Sequence, residues 1–212
     1  MTMKKKRPVL QDVADRLGVT KMTVSRFLRN PEQVSEALGQ RIAVVLDELG
    51  YIPNRVPEIL SNATSKAIAV LLPSLTNHVF ADVLKGIETV NDAAGYQTLV
   101  AHFGYQAEKE ERQLRSLLGW NVDGVILTER THTPATLRML ETAGIPVVEI
   151  MDSVSPCLDM AVGFDNTEAA RQMAETLIRR GYRSTVYLGA RLDERTLQKQ
   201  HGYHRALPGR KS

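Results

Sequence analysis

Two short amphipathic segments joined by a glycine turn constrain the N-terminal fold most strongly. Between residues 13 and 17 the apolar side chains lie on one helical face. Residues 18–20, Gly-Val-Thr, predict a tight turn whose last hydroxyl, from Thr20, can cap the helix that follows. That helix is predicted near residues 21–28, and Asn-Pro after it marks its end. Such a pair of helices predicts a helix-turn-helix.

A third helix is predicted to complete a small all-α domain over residues 1–54. Ser35 is placed to cap this helix, and Gly50 lies where glycines end helices. Between them, five apolar residues recur on one helical stripe. They are Leu38, Ile42, Val45, Leu46 and Leu49. Gly39 lies within the helix, at a cost of about 1 kcal/mol relative to alanine.

The charge of the chain is concentrated at its N-terminus. The whole chain has a net charge of only +3. Residues 1–30 hold eight basic and two acidic groups, whereas residues 66–212 hold 17 of each sign. A basic head on a neutral body indicates an anionic partner, although a solvated basic tail would give the same composition.

The second helix of a helix-turn-helix enters the major groove of DNA with its N-terminal residues against the bases. Here those residues are Lys21 and Met22, with Arg26 one turn further along. Lysine and arginine can donate to guanine, and methionine can contact a thymine methyl group. The neighbouring hydroxyls suit phosphate oxygens and belong to Thr20, Thr23 and Ser25.

From residue 67 the pattern changes to strands alternating with helices about every 25–30 residues, which predicts a parallel, doubly wound α/β sheet. Strands are predicted at 67–72, 97–102, 122–127, 147–150, 160–164 and 185–189. Helices are predicted at 79–94, 107–118, 134–143 and 167–180, and from about residue 193.

These segments resemble a known family. The run 10–30, together with residues 34–35 and 49–54, resembles the DNA-binding domain of the lac/galactose repressor family of transcriptional regulators. The similarity extends to about Tyr203. The sequence of residues 19–31 is most similar to that of the gluconate-utilisation repressors of the family. The resemblance implies a homodimer that represses transcription from operator DNA.

The resemblance also implies further DNA contacts at Arg29, Asn54 and Leu60. In this family the linker, here residues 55–66, forms a hinge helix when two subunits sit on the operator. A leucine of each subunit, here Leu60, then wedges into the minor groove and bends the duplex. The alternative is that Ile59 and Leu60 simply pack against the protein core.

The second half of the chain resembles the effector-binding core of the family, a two-lobed fold like that of periplasmic sugar-binding proteins. The lobes are expected at 67–160 and 161–212. The implied effector contacts are Ser74, Phe80, Asp152, Asp193, Arg195 and Lys199. The cations suit a carboxylate ligand such as gluconate. The alternative is that these charges lie on an exposed helix without a ligand.

The end of the chain departs from the family pattern. Relatives continue beyond this point, and residues 204–212 do not read like the end of a helix. The expectation is therefore a C-terminally truncated product in which the second lobe is incomplete. A fragment that binds DNA but does not sense an effector is the alternative to a complete repressor.

Other classes of function find little support. The sequence shows neither a signal peptide nor an apolar run long enough for a membrane span, so we expect a cytoplasmic protein. The single cysteine, Cys157, and the spacing of the histidines predict no disulfide or metal site. No catalytic motif is recognisable, so we expect neither an enzyme nor a cofactor other than the effector. A purely small-molecule binding protein is a further alternative, which the basic helix-turn-helix disfavours.

Overall fold

The structure is a computed structural model that describes residues 7–54, 56–57, 59, 64–153 and 156–207. Contacts divide the chain into two units, residues 1–63 and 64–212. A helical region followed by a parallel α/β core confirms the predicted fold class. Within these ranges, the structure has no helix that is long and apolar enough to cross a membrane. The predicted boundaries at 54, 66 and 160 stay predictions.

The first unit is a bundle of short helices around one small core. Its helices are α1 (Leu10–Leu17), α2 (Lys21–Arg29) and α3 (Glu36–Leu49), with a short 3-10 helix (Pro31–Gln33) between the last two. The buried core consists of Val13, Ala14, Leu17, Val24 and Ile42. Gly18 ends α1 with a φ of 68°, the left-handed conformation that glycine adopts without strain, and this makes the turn into α2 possible.

Two predicted helix caps have different outcomes. The Thr20 hydroxyl accepts a hydrogen bond from the Thr23 amide at 3.2 Å, which confirms the predicted cap of α2. Ser35 takes the cap position of α3, but its hydroxyl makes no capping hydrogen bond. The sequence therefore predicted the positions of both helix caps, but it did not predict whether the side-chain rotamer would form the capping hydrogen bond.

Gly39 lies in α3 where a side chain would make a tight contact with the Phe27 ring of α2. A methyl group added there would lie 3.1 Å from Cε2 of the Phe27 ring. The helix therefore accepts the lower helix propensity of glycine because the aromatic ring occupies the space of the missing side chain.

The second unit is a five-stranded sheet with helices packed on it. The strands are β1 (Ala67–Leu72), β2 (Gln97–His102), β3 (Gly124–Leu127), β4 (Val147–Ile150) and β5 (Met160–Val162). The helices are α4 (His78–Ala93), α5 (Ala107–Gly119), α6 (Pro134–Ala143), α7 (Asn166–Arg179) and α8 (Glu194–Ala206). The strand order is β2-β1-β3-β4-β5, and every neighbouring pair is parallel.

Apolar side chains from both faces of the sheet enter buried clusters. On one face, Ala69 and Leu71 of β1 join Phe103, Leu114 and Leu127. The intervening β1 residues Val70 and Leu72 pack on the other side with Phe80 of α4. Burial on both faces explains why β1 reads as a continuous apolar run. Because the strands are parallel, their carboxyl ends meet at one edge, where ligands of such sheets usually bind.

Two predictions about the last third of the chain were wrong. No strand forms at 185–189 in the described part of this unit, where Val186 and Leu188 are 88% and 90% exposed. A strand needs a neighbour to satisfy its backbone groups, and the described residues place none beside this segment. In addition, α8 continues through His204 to Ala206, so the first residues of the segment 204–212 do form the end of a helix, whereas residues 208–212 lie outside the described residues.

Candidate nucleic-acid interface and ligand cavity

The first turn of α2 presents its side chains to solvent. Lys21 and Met22 are exposed, and the apolar Met22 side chain is 69% exposed. Arg26 is exposed one turn further on, whereas Val24 is completely buried against α1. The helix is therefore anchored by its inner face, and the residues predicted to contact bases are free to meet a partner.

The three hydroxyl residues of this region hold the local backbone together. Thr20 and Thr23 bond to each other through their hydroxyls at 3.0 Å, in addition to the helix cap. The Ser25 hydroxyl accepts a hydrogen bond at 3.1 Å from Arg29 of the next turn. Because a hydroxyl both donates and accepts, these internal bonds leave capacity for a phosphate oxygen.

A groove of about 1000 Å³ brings several predicted DNA contacts together within the first unit. Its walls include Arg7, Ser25, Arg29 and Asn54. The Asn54 side-chain oxygen accepts a hydrogen bond from the Val56 amide at 3.1 Å. Two arginines and an amide along one concave surface form an arrangement suited to a phosphate backbone. Leu60 lies outside the described residues.

The effector residues implied by the resemblance occupy several different environments in the second unit. Ser74 follows β1, and its hydroxyl accepts hydrogen bonds from the amides of Thr76 and Asn77 at 3.2 Å each. The Phe80 ring is only 4% exposed and packs into the core. Lys199 is exposed on α8. These three residues are not brought together at one described cavity.

Two other implied contacts have buried polar partners. Asp152, at the end of β4, is 1% exposed and accepts a hydrogen bond from Gln198 of α8 at 2.8 Å. Arg195 of α8 donates to Glu129, which follows β3, at 2.6 Å. Both bonds attach α8 to the carboxyl edge of the sheet, where a ligand would bind.

Asp193 begins α8 and also holds an arginine. Its carboxylate accepts a hydrogen bond from the Thr196 amide at 2.8 Å, and Arg191 donates to it through Nε at 3.0 Å. Burial opposes ionisation of this group, but the bonds from Arg191 and Thr196 prevail and lower the pKa of Asp193 to about 2. The aspartate is therefore a fixed negative charge at neutral pH.

A cavity of about 460 Å³ opens beside these charges at the carboxyl edge of the sheet. Apolar walls are supplied by Phe103, Ala107, Leu192 and Leu197, with the ring of Tyr105. Polar groups line the remainder: Glu110, Glu129, Thr131, Arg191, Asp193 and Glu194. Asp193 is the one residue of the implied effector set among the lining residues described.

Sequence reasoning missed a buried polar network beside this cavity. His132 Nδ1 lies 2.7 Å from Glu110 Oε2, and His132 Nε2 lies 3.8 Å from Glu149 Oε1. All three side chains are at most 3% exposed. Burial opposes protonation, but hydrogen bonding and charge from Glu110, with the charge of Glu149, raise the pKa of His132 above its usual value.

The signal for this network was present in the sequence. Residues 129–132, Glu-Arg-Thr-His, begin two residues after the end of β3 and so lie at the same sheet edge as Ser74 and Asp152. Burial also raises the pKa of Glu129, despite the opposing charges of Arg195 and Arg191. Among the described residues, no group of three His, Cys, Asp or Glu side chains could hold a metal ion.

Two family models match the chain. Residues 9–54 match the model of "Bacterial regulatory proteins, lacI family". Residues 65–210 match "Periplasmic binding proteins and sugar binding domain of LacI family". The first covers the described part of the helix-turn-helix, and the second covers the sheet unit.

Individual relatives are consistent with these matches. The chain is 74% identical over 205 residues to the HTH-type transcriptional regulator GntR of Escherichia coli K12, covering 97% of this chain and 62% of that protein. It is 46% identical over 206 residues to the regulator IdnR of the same organism, covering 97% of this chain and 62% of IdnR. A crystal structure of a LacI family regulator from Silicibacter pomeroyi matches with a TM-score of 0.85 at 40% identity, over 94% of this chain and 60% of that one. The chain therefore spans less than two thirds of the length of these relatives.

Proposed function

The chain belongs to the LacI family of bacterial regulatory proteins, and we propose that it is a transcriptional repressor that binds operator DNA sequence-specifically as a homodimer. The observation that carries this proposal is the exposed first turn of α2. Lys21 and Met22 project from a helix whose inner face is fixed in a core. Such a helix can enter a major groove without reorganising.

Sequence readout is proposed to come from Lys21, Met22 and Arg26. Phosphate contacts are proposed for the hydroxyls and for the basic groove, at Thr20, Thr23, Ser25, Arg29 and Asn54. Leu60 is proposed as the minor-groove wedge, on the resemblance alone. This division follows from chemistry, because groups aimed at phosphates fix register whereas groups aimed at base edges choose the sequence.

We further propose that a small sugar acid such as gluconate releases the DNA by binding in the second unit. The support is the arginine-containing cavity at the carboxyl edge of the sheet, beside Asp193 and Arg195. Ser74, Phe80, Asp152 and Lys199 belong to this proposal through the resemblance. Release would follow if the ligand favours a form of the protein that binds DNA poorly. We therefore propose that the chain regulates transcription and does not catalyse a reaction.

A DNA titration tests this function. A duplex selected from a random-sequence pool and an unselected duplex are titrated with the 212-residue chain at two salt concentrations, with and without gluconate. We expect the chain to bind the selected duplex more tightly than the unselected one. This binding should weaken at the higher salt concentration and in the presence of gluconate. Specific binding whose affinity does not change with gluconate would indicate DNA binding without effector sensing. Equal binding of both duplexes would overturn the repressor proposal.

An exchange of two residues tests how the sequence is chosen. Replacing Lys21 and Met22 together by the pair that another LacI-family repressor has at these positions should switch the preferred duplex towards the site of that repressor. The measurement is a competition between the two duplexes. An unchanged preference would show that the first turn of α2 does not contact the bases.

A further inference from the structure

Two residues that line the 460 Å³ cavity each have one buried side-chain atom without a hydrogen-bond partner among the described residues. One is Oε1 of Glu110, whose side chain is 1% exposed. The other is Nη1 of Arg191. An unsatisfied buried polar atom destabilises the folded state, so folded proteins seldom retain one without a reason. One acceptor and one donor from two lining residues of a single cavity are complementary to a ligand that offers both a hydroxyl and an anionic group.

We propose that this cavity binds a small hydroxylated carboxylate, with Arg191 donating to its carboxylate and Glu110 accepting a hydrogen bond from one of its hydroxyls. The inference rests on the proposed effector sensing and adds to it three residues that the resemblance did not supply. These residues are Glu110, Glu129 and Arg191.

The guanidinium of Arg191 is held in a fixed orientation. Its Cζ lies 3.2 Å from the centroid of the Tyr105 ring, and its Nε and Nη2 both donate to the carboxylate of Asp193. Stacking and these two bonds, which share one carboxylate oxygen, fix the plane of the group and leave Nη1 as the donor still available. An arginine prepared in this way loses little entropy when it binds a carboxylate.

Glu129 pairs with the cations Arg191 and Arg195. Its Oε1 lies 2.6 Å from Nη2 of Arg195 and 3.8 Å from Nη2 of Arg191. A carboxylate ligand would therefore bring a second negative group to cations that Glu129 already neutralises. The ligand and Glu129 should compete, and we infer that Glu129 moves away or takes up a proton when the ligand binds.

The other walls of the cavity suit the carbon chain of such a ligand. Phe103, Tyr105, Leu192 and Leu197 present apolar surface beside the charged groups. The volume of about 460 Å³ lies within the range of small-molecule sites, roughly 300–1,000 Å³. A neutral polyol would leave Arg191 unsatisfied, and an unhydroxylated acid would leave Glu110 unsatisfied.

Isothermal titration calorimetry on the 212-residue chain without DNA tests the ligand class. The probes are gluconate and lactate as hydroxylated carboxylates, sorbitol as an uncharged polyol, and propionate as an acid without hydroxyls. We expect at least one hydroxylated acid to bind about tenfold or more tightly than sorbitol and propionate, the factor expected for one charged hydrogen bond. If neither acid binds, or if sorbitol or propionate binds equally well, the proposal is overturned. The DNA titration then still decides the proposed DNA binding separately.

Variants test the assigned residues. Arg191→Gln should weaken binding of the acid about tenfold or more, and Glu129→Gln should tighten it because it removes the internal competitor. Glu141→Gln, an exposed position on α6, makes the same change of charge and should leave the affinity unchanged. Circular dichroism verifies that each variant is folded. If Arg191→Gln fails to fold, the direction of the Glu129→Gln effect decides. Unchanged affinity in folded Arg191→Gln, or in Glu129→Gln, would contradict the assignment.

Discussion

At the scale of single residues, the buried imidazole of His132 should make the stability of the second unit depend on pH. Its pKa is raised above the ordinary 6.5, with Glu110 and Glu149 overcoming the effect of burial. The folded chain therefore holds this proton more tightly than the unfolded chain. The resulting stability is fully present below pH 6.5 and is lost as the pH rises through the raised pKa.

The comparison that checks this is between the wild-type chain and His132→Gln. Urea unfolding, followed by circular dichroism at about pH 6 and about pH 8.5, gives the free energy of unfolding of each. We expect the wild-type chain to lose more stability than the variant over this interval. His201→Gln, at an exposed position of α8, is the matched control and should behave like the wild type. Parallel pH profiles for wild type and His132→Gln would refute the role of the ion pair.

At the scale of elements, α7 and α8 pack so closely that only glycine fits between them. A Cβ atom at Gly202 would lie 1.9 Å from the carbonyl oxygen of Thr167 and 3.1 Å from the amide nitrogen of Arg171. These are backbone atoms, which cannot rotate away as a side-chain end could. We therefore expect Gly202→Ala to force the helices apart and to destabilise the chain by about 1–3 kcal/mol or more.

A second helical glycine provides the control for this prediction. Gly86 lies within α4, and a Cβ atom there would meet nothing within 4 Å. Gly86→Ala should therefore stabilise the chain by about 0.5–1 kcal/mol, because alanine favours the helix. The opposite signs are measured from the urea unfolding midpoints of the two variants. A neutral Gly202→Ala would show that the two helices can separate at little cost.

The elements themselves could largely be predicted from the sequence, because local patterns determine them. The strands at 67–72, 97–102 and 147–150 have the predicted bounds, since each contains consecutive apolar residues and lies between helices or turns. The segment 185–189, Thr-Val-Tyr-Leu-Gly, also contains β-branched and aromatic residues typical of strands, but no described strand pairs with it. Apolar composition indicates that a segment can form a strand, whereas tertiary context decides whether it does.

The candidate site could be predicted only in part. Asp193 and Arg195 were identified through the resemblance, and each makes polar bonds at the sheet edge, while their role as effector contacts stays a prediction. Glu110 and His132 are 22 residues apart in the chain, so no local pattern shows that they meet at 2.7 Å. Such a long-range pair forms only because the connections between strands bring the two segments together in the fold.

At the scale of the whole molecule, the separation of charge along the chain should appear in how the proposed DNA binding responds to salt. Residues 1–30 hold six more basic than acidic groups, although the chain carries only +3. Each cation that neutralises a phosphate releases a counterion, so the logarithm of the binding constant falls linearly with that of the salt concentration. Removing one phosphate contact should make the slope shallower by about 0.9.

Three variants of the chain distinguish phosphate contacts from base contacts in this measurement. Arg29→Gln should make the slope shallower and weaken selected and unselected duplexes alike, because the Arg29 side chain lines the basic groove rather than the first turn of α2. Met22→Ala should leave the slope unchanged and reduce only the preference for the selected duplex, since it removes an apolar contact without charge. Arg183→Gln, in the unit that lacks the helix-turn-helix, makes the same change of charge as Arg29→Gln and should alter neither quantity. If Arg183→Gln changes the slope as much as Arg29→Gln does, DNA binding follows the net charge of the chain, and the basic first unit is not the DNA-binding surface.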